Sequence, residues 1–275
     1  MKIKASIYTF STILLMICPV VFSQTPPVVD GYRCIKVQGH WLWFNKDFLA
    51  NEPKLLNETV AAVVADLKDM DRLMPEAAVE VLKSVSIWLE YETEPFGSVT
   101  GQVPVYHYSR TWLIQQGKNP AMAQGVQICN AKNYLQCRDD KVGLYMLHEM
   151  AHAYFHILEQ QQSQSVKAAY ELAKAQGIYD KVGRMNSDVL RGEYITAYAM
   201  QDEHEYFAEL SEAYFGCNDY YPYNRQQLRQ HDPIGYQIVR KLWNLPADYV
   251  NEQYLVWQNE CLTDNLQQSR ASENK

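Results

Sequence analysis

The sequence is poor in chain breakers and in positive charge. Of 275 residues, 12 are glycine and 11 are proline. Neither recurs at a fixed period, which excludes collagen-like and low-complexity material. Lysine and arginine number 25 against 32 aspartates and glutamates, with no basic block. Phosphate contacts need clustered Lys and Arg, so nucleic acid is excluded as a partner. Charged residues make up only 21% and apolar residues 47%. That excludes a disordered chain, which needs low hydrophobicity and high charge. There is no C-x-x-C pair, no internal repeat and no Gly/Ser linker. Past the N-terminus no apolar run reaches the roughly 18 residues of a membrane span, so no stable span is expected. The length is ample for the buried core of one domain.

The N-terminus reads as an address. Lys2 and Lys4 precede a largely apolar run from Ile7 to Phe22. Val21 and Ser23 suit a signal-peptidase site, so residues 1–23 are expected to be a secretory signal peptide. A lipoprotein variant through Cys18 fits less well, because Leu15-Met16-Ile17 is bulky where small residues normally stand. The protein is then expected to be secreted or periplasmic. Five cysteines follow: Cys34, Cys129, Cys137, Cys217 and Cys261. In an oxidising compartment disulfides are the default, and an odd number leaves at least one unpaired within the chain. Cys129 and Cys137 are expected to close a small loop.

Apolar spacing predicts helices over 55–74, 76–85, from 139 to about 160, 163–176, 203–215, 226–230 and 233–243. Asp139-Asp140 is the expected cap of the helix that starts at 139, and Gly177 and Gly216 are expected stops. Alternation predicts short strands over 87–91, 103–108, 126–129 and 191–194. The expected class is α+β, mostly helical, with a small sheet before a central helix. Residues 24–264 are expected to form one domain, with an N-terminal part to residue 120 and the chemistry in 121–264. The polar end, 265–275, is expected to fray.

The chemistry centres on His148-Glu149-Met150-Ala151-His152, an H-E-x-x-H inside a helical segment. Histidines four apart lie on one helix face, and both imidazoles can reach one Zn²⁺. Glu149 then stands beside the metal-bound water as a general base. His156 lies one turn further, too far along a straight helix to ligate, and reads as a packed or surface histidine. A catalytic zinc needs a third protein ligand and an open position. A metzincin-type third histidine is absent, because Phe155 and Leu158 occupy its positions. The other source is a glutamate from a later helix. Glu205 and Glu209, one turn apart, are the candidates. The first could ligate, and the second could accept a hydrogen bond from a ligand histidine. A solvated acidic face fits the same spacing, since Glu203 and Glu212 are near.

Glu205-Tyr206-Phe207-Ala208-Glu209 resembles the third-ligand helix of the metallopeptidases related to anthrax lethal factor. That family carries a tyrosine seven residues before its zinc glutamate, and Tyr198 stands at that distance from Glu205. The resemblance covers about residues 140–216. It implies a zincin-like fold, Zn²⁺ held by His148, His152 and Glu205, Glu209 behind them, and Tyr198 as a hydrogen-bond donor to the developing oxyanion. Zincins hold an extended substrate against an edge strand before the active helix. By resemblance that role falls to Gly125-Val126-Gln127-Ile128, with Val105 to Tyr108 as the alternative.

The expected function is zinc-dependent hydrolysis of a peptide or protein substrate. The competing readings are a zincin-like protein that binds peptide or cell-surface material without turnover, and a zinc hydrolase of a non-peptide amide or ester.

Overall fold

Gln38 and Gly39 turn the chain at positive φ, 48° and 89°. A two-residue turn of this kind matches the right-handed twist of a hairpin. It joins strand β1 (Tyr32–Val37) to β2 (His40–Asn45). The structure, a computed structural model, describes residues 28–91, 104–139, 144–185, 194–246 and 249. The expected signal peptide, the polar end and most of the strand expected at 191–194 lie outside the described residues. Tyr194 is in no strand, and Ile195 forms an isolated bridge with Val182.

Three more strands complete a mixed sheet: β3 (Ile87–Leu89), β4 (Pro104–Tyr106) and β5 (Val126–Ile128). Their order is β1-β2-β3-β5-β4, with β2, β3 and β5 parallel and β1 and β4 antiparallel to their neighbours. Period-two alternation splits the side chains between two faces. Leu42, Ile87, Leu89, Val126 and Ile128 face the large core. Trp43 and Trp88 turn to the other side, stacked at 5.0 Å between ring centres. There they pack with Leu113 and Met122. The hairpin lay unread in the sequence, although Gln-Gly between alternating residues is its signal.

The helices are α1 (Lys46–Asn51), α2 (Pro53–Leu73), α3 (Glu76–Leu82), α4 (Arg110–Gln115), α5 (Ala131–Asp139), α6 (Tyr145–Gln176), α7 (Glu203–Phe215), α8 (Arg225–His231) and α9 (Pro233–Leu242). The fold is α+β. Helix α2 starts with Pro53 in its first turn and buries Leu56, Val63, Leu67 and Met70, the one-sided stripe that a core-facing helix needs. One cluster of buried apolar residues takes members from Leu42 to Trp243, so 28–91 shares its core with α6 and α7.

Two expectations about the central helix are corrected. Residues 145–176 form one helix, where two had been expected with a break near 161–162. The Gln-Ser run there is polar but contains neither Gly nor Pro, and polarity alone does not interrupt a helix. Gly177 does end it, at φ 63°. Asp139 is not the N-terminal cap of this helix, because it is the last residue of α5.

Asp232 ties the last third together. It is 4% exposed and caps α9 through Gly235 N. Its Oδ2 accepts from the Tyr206 hydroxyl at 2.5 Å and the Tyr179 hydroxyl at 3.2 Å. Burial, then the Asp232 charge, pushes both phenols well above their ordinary value, so both remain donors. A Cβ at Gly235 would collide with Leu210, Asp232 and Tyr206, so α9 can approach α7 this closely only at a glycine. Asp232→Ala removes the cap and leaves two phenols unpaired, each of which costs about 1–3 kcal/mol when buried. The expected loss is about 3 kcal/mol of unfolding free energy, read from urea denaturation. A loss within experimental error would show that Asp232 does not carry this network.

Candidate metal centre

Helix α6 presents His148 and His152 one turn apart, with their Nε2 atoms 3.1 Å from each other. Helix α7 brings the third group. The Asp202 side chain accepts from His204 N and Glu205 N at 2.9 and 3.0 Å, fixing the first turn. Glu205 Oε2 then lies 3.0 Å from His148 Nε2 and 3.2 Å from His152 Nε2. These donor atoms form a nearly equilateral triangle. A tetrahedral zinc site with bonds of 2.0–2.1 Å separates its ligands by about 3.3 Å, so the triangle has the size such an ion requires.

The far side of the His148 ring decides its chemistry. Nδ1 lies 2.7 Å from Glu212 Oε1. A carboxylate can only accept there, so Nδ1 carries the hydrogen and Nε2 keeps a lone pair. That lone pair faces a carboxylate oxygen and a second imidazole nitrogen, and three acceptors meeting at one point call for a cation. Burial opposes ionisation of Glu205, but hydrogen bonds from His148 and His152 outweigh it and hold the carboxyl well below its usual range. Burial likewise disfavours a charged His148, yet bonds to Glu205 and Glu212 prevail and raise it well above its ordinary value.

Glu212 corrects the expected role of Glu209. Glu209 Oε1 lies 3.8 Å from His148 Nδ1, beyond hydrogen-bond reach. Its Oε2 accepts from Asn218 Nδ2 at 3.2 Å instead. Glu205, Glu209 and Glu212 share one face of α7, and two full turns bring Glu212 around the ring to Nδ1. Glu212 also accepts the N–H of Leu144, the residue just before α6.

Glu149 stays outside the donor triangle. Its Oε2 accepts from the main-chain N–H of Tyr106 at 2.6 Å. Burial pushes its carboxyl up, opposed by the nearby histidines. Tyr198 lies in a short 3-10 turn, Tyr198–Met200, and is 37% exposed. Its hydroxyl donates to Glu205 Oε1 at 3.2 Å, the oxygen turned away from the histidines. Burial and then the Glu205 charge raise this phenol, keeping it a donor.

The expected substrate strand is also corrected. Val126, Gln127 and Ile128 form β5, paired with β3 on one side and β4 on the other, and all three are buried. Gly125 is equally enclosed, since a Cβ there would meet Ser86 O and Trp88 Nε1 at 2.9 Å. The edges of the sheet are β1 and β4, and β4 is the one that meets α6. From its last residue onward the side chains alternate: His107 meets Gln127 on one face, while the Tyr106 and Tyr108 hydroxyls reach His156 Nδ1 and His204 Nδ1, each at 2.8 Å. His156 is packed, as its distance from His148 and His152 along α6 implies. Sequence order could not separate β4 from β5, because both precede α6.

The expected Cys129–Cys137 bridge is not formed; both are thiols, as is Cys34. Asn130 caps α5 by accepting from Asn133 N, and the helix carries Cys137 about 9 Å along its axis. A disulfide needs Cα atoms within about 7 Å. Comparison with known protein families, with characterised proteins and with solved structures finds no match.

Two outcomes follow from this geometry. Zinc should bind at about one ion per chain and be lost in His148→Ala or His152→Ala. Glu212→Gln should weaken it about 10- to 100-fold, the usual cost of losing a group that orients a ligand, with Glu209→Gln affecting it far less. Chelator competition measures both, and equal losses would return the orienting role to Glu209. Because a proton on the raised His148 competes with the ion, affinity should fall as pH decreases. Pulse titration with zinc at several pH values checks this, and a pH-independent affinity between pH 5 and 8 would contradict it.

Proposed function

We propose that this chain is a zinc metallopeptidase that works outside the cytoplasm, secreted or periplasmic. The observation that carries this reading is a carboxylate beside the donor triangle but not part of it. A structural zinc site is closed by four protein ligands. Here three donors converge, and Glu149 is held next to them by a backbone N–H rather than by the other ligands.

A bound zinc ion would supply an activated water at neutral pH and polarise the scissile carbonyl. His148, His152 and Glu205 would hold it. Glu149 accepts the proton of the attacking water and passes it to the leaving amine. The N–H of Tyr106 fixes one Glu149 oxygen and leaves the other for that proton. Tyr198 donates its hydroxyl to the negative charge that develops on the substrate oxygen, moving from Glu205 Oε1 to do so. Glu212 keeps His148 in the tautomer that ligates.

The zincin reading is supported by the order of parts. A mixed sheet with an antiparallel edge strand precedes the H-E-x-x-H helix, and the third donor arrives on a later helix. The resemblance to lethal factor-related metallopeptidases supports it through Tyr198 and Glu205, which meet at the same carboxylate. The natural partner is then an extended peptide or protein segment laid along β4. Export rests on the N-terminal signal pattern. Among the described residues no helix is long and apolar enough to cross a membrane.

The test separates base from ligand. Glu149→Gln keeps shape but removes the basic carboxylate, so zinc should stay bound while hydrolysis of denatured casein falls about 10²–10⁴-fold. Tyr198→Phe should cost about 10²–10³-fold in turnover, with less effect on apparent KM. Glu205→Ala should lose the metal itself, and a chelator should abolish activity in the wild type. Zinc-loaded wild type that cleaves no peptide bond would refute the reading, as would Glu149→Gln with full activity.

A further inference from the structure

His156 lies outside the donor triangle, yet it is bonded toward it. Its Nδ1 is 2.8 Å from the Tyr106 hydroxyl. The main-chain N–H of the same Tyr106 makes the 2.6 Å bond to Glu149 Oε2. One residue of the edge strand is therefore gripped at both ends by α6: its side chain by His156, its backbone by Glu149. The His156 ring also stacks on Tyr108 at 4.3 Å and 19°, and the Tyr108 hydroxyl meets His204 on α7.

Strand β4 needs such ties. Among the described residues it is three residues long and pairs only with β5. A short edge strand held by a single ladder can shift by fractions of an ångström, and Glu149 would shift with it. Proton transfer does not tolerate this, since a misplacement of about 1 Å can cost about 10²-fold in rate.

We infer that His156 is a positioning residue for Glu149, acting through Tyr106. The inference rests on the metallopeptidase reading above. The Tyr106 hydroxyl and His156 Nδ1 form one bond, so losing either partner breaks it. Glu149 loses its fixed orientation, while the donor triangle is untouched.

The experiment is a double-mutant cycle in the full chain, with labelled denatured casein as substrate. Tyr106→Phe removes one oxygen and keeps the ring and the main-chain N–H. His156→Leu removes the partner nitrogen. Each should lower kcat about tenfold, a fraction of the cost of a full 1 Å misplacement, with apparent KM within about twofold. The double variant should be no slower than the slower single one, because both break one interaction. His156→Asn, whose amide can place a polar atom near the Nδ1 position, should recover most of the rate. Zinc content and thermal midpoint should stay at the wild-type values.

Single variants as fast as wild type would overturn the inference, as would losses that multiply in the double variant. Loss of zinc or of thermal stability in Tyr106→Phe would make the pair structural and overturn it as well. These results all presuppose an active wild type and leave the metallopeptidase reading standing. A zinc-loaded wild type with no hydrolysis would instead end that reading, and this inference with it.

Discussion

Helix α7 grips one imidazole from both sides, and the site depends on that grip. Glu205 meets His148 at Nε2 and Glu212 meets it at Nδ1. Seven residues separate the two glutamates, two helical turns and about 10.5 Å of rise. The ring of His148 bridges that gap because α6 and α7 pack closely, through Phe155 against Phe207 at 5.4 Å between ring centres. Glu212 also receives the N–H of Leu144 just before α6, so the entry to that helix and the rotation of its first histidine are held by the same carboxylate. A small displacement of α7 would change that entry, the tautomer and the donor triangle together.

The arrangement concentrates negative charge. Glu209 and Glu212 are each 4% exposed, and Asp219 lies close behind them. Burial, then the nearby Glu212 charge, pushes Asp219 up to about 6 against the pull of Arg184. Burial and the Asp219 charge raise Glu209 well above the usual range. Carboxylates are buried without matching cations only at a cost in free energy. Arg184, 3.0 Å from Asp219, offsets part of it. A divalent ion in the donor triangle would supply the charge that the side chains lack.

The sheet contributes through its edge. Its interior strands bury large apolar residues on both faces. Strand β4 sits last in the order, one side of its ladder turned to α6. Two tyrosine–histidine bonds fasten it and the residues just after it to α6 and α7. The aromatic belt explains part of the tyrosine content: Tyr106, Tyr108 and Tyr198 each bring an apolar ring for packing and a hydroxyl for a specific acceptor.

The sequence by itself determined the parts whose signal is local. Helical period carried α2, α3, α7 and α9 to within a few residues, and the four-residue spacing put His148 and His152 on one face. Spacing left Glu205 open between a ligand and a solvated acidic face, and only the resemblance to lethal factor-related metallopeptidases singled it out. What only the tertiary structure decided involves contacts between distant segments. Whether Glu209 or Glu212 reaches Nδ1 depends on the rotation of α7 about its axis, which residues all along α7 and α9 set. Whether β4 or β5 forms the edge depends on strand order, and no periodicity encodes which neighbour a strand takes. The role of His156 needed β4 in place, since its partner lies 50 residues earlier in the chain. Spacing along the chain fixes which groups share a face, and packing between elements fixes what that face meets.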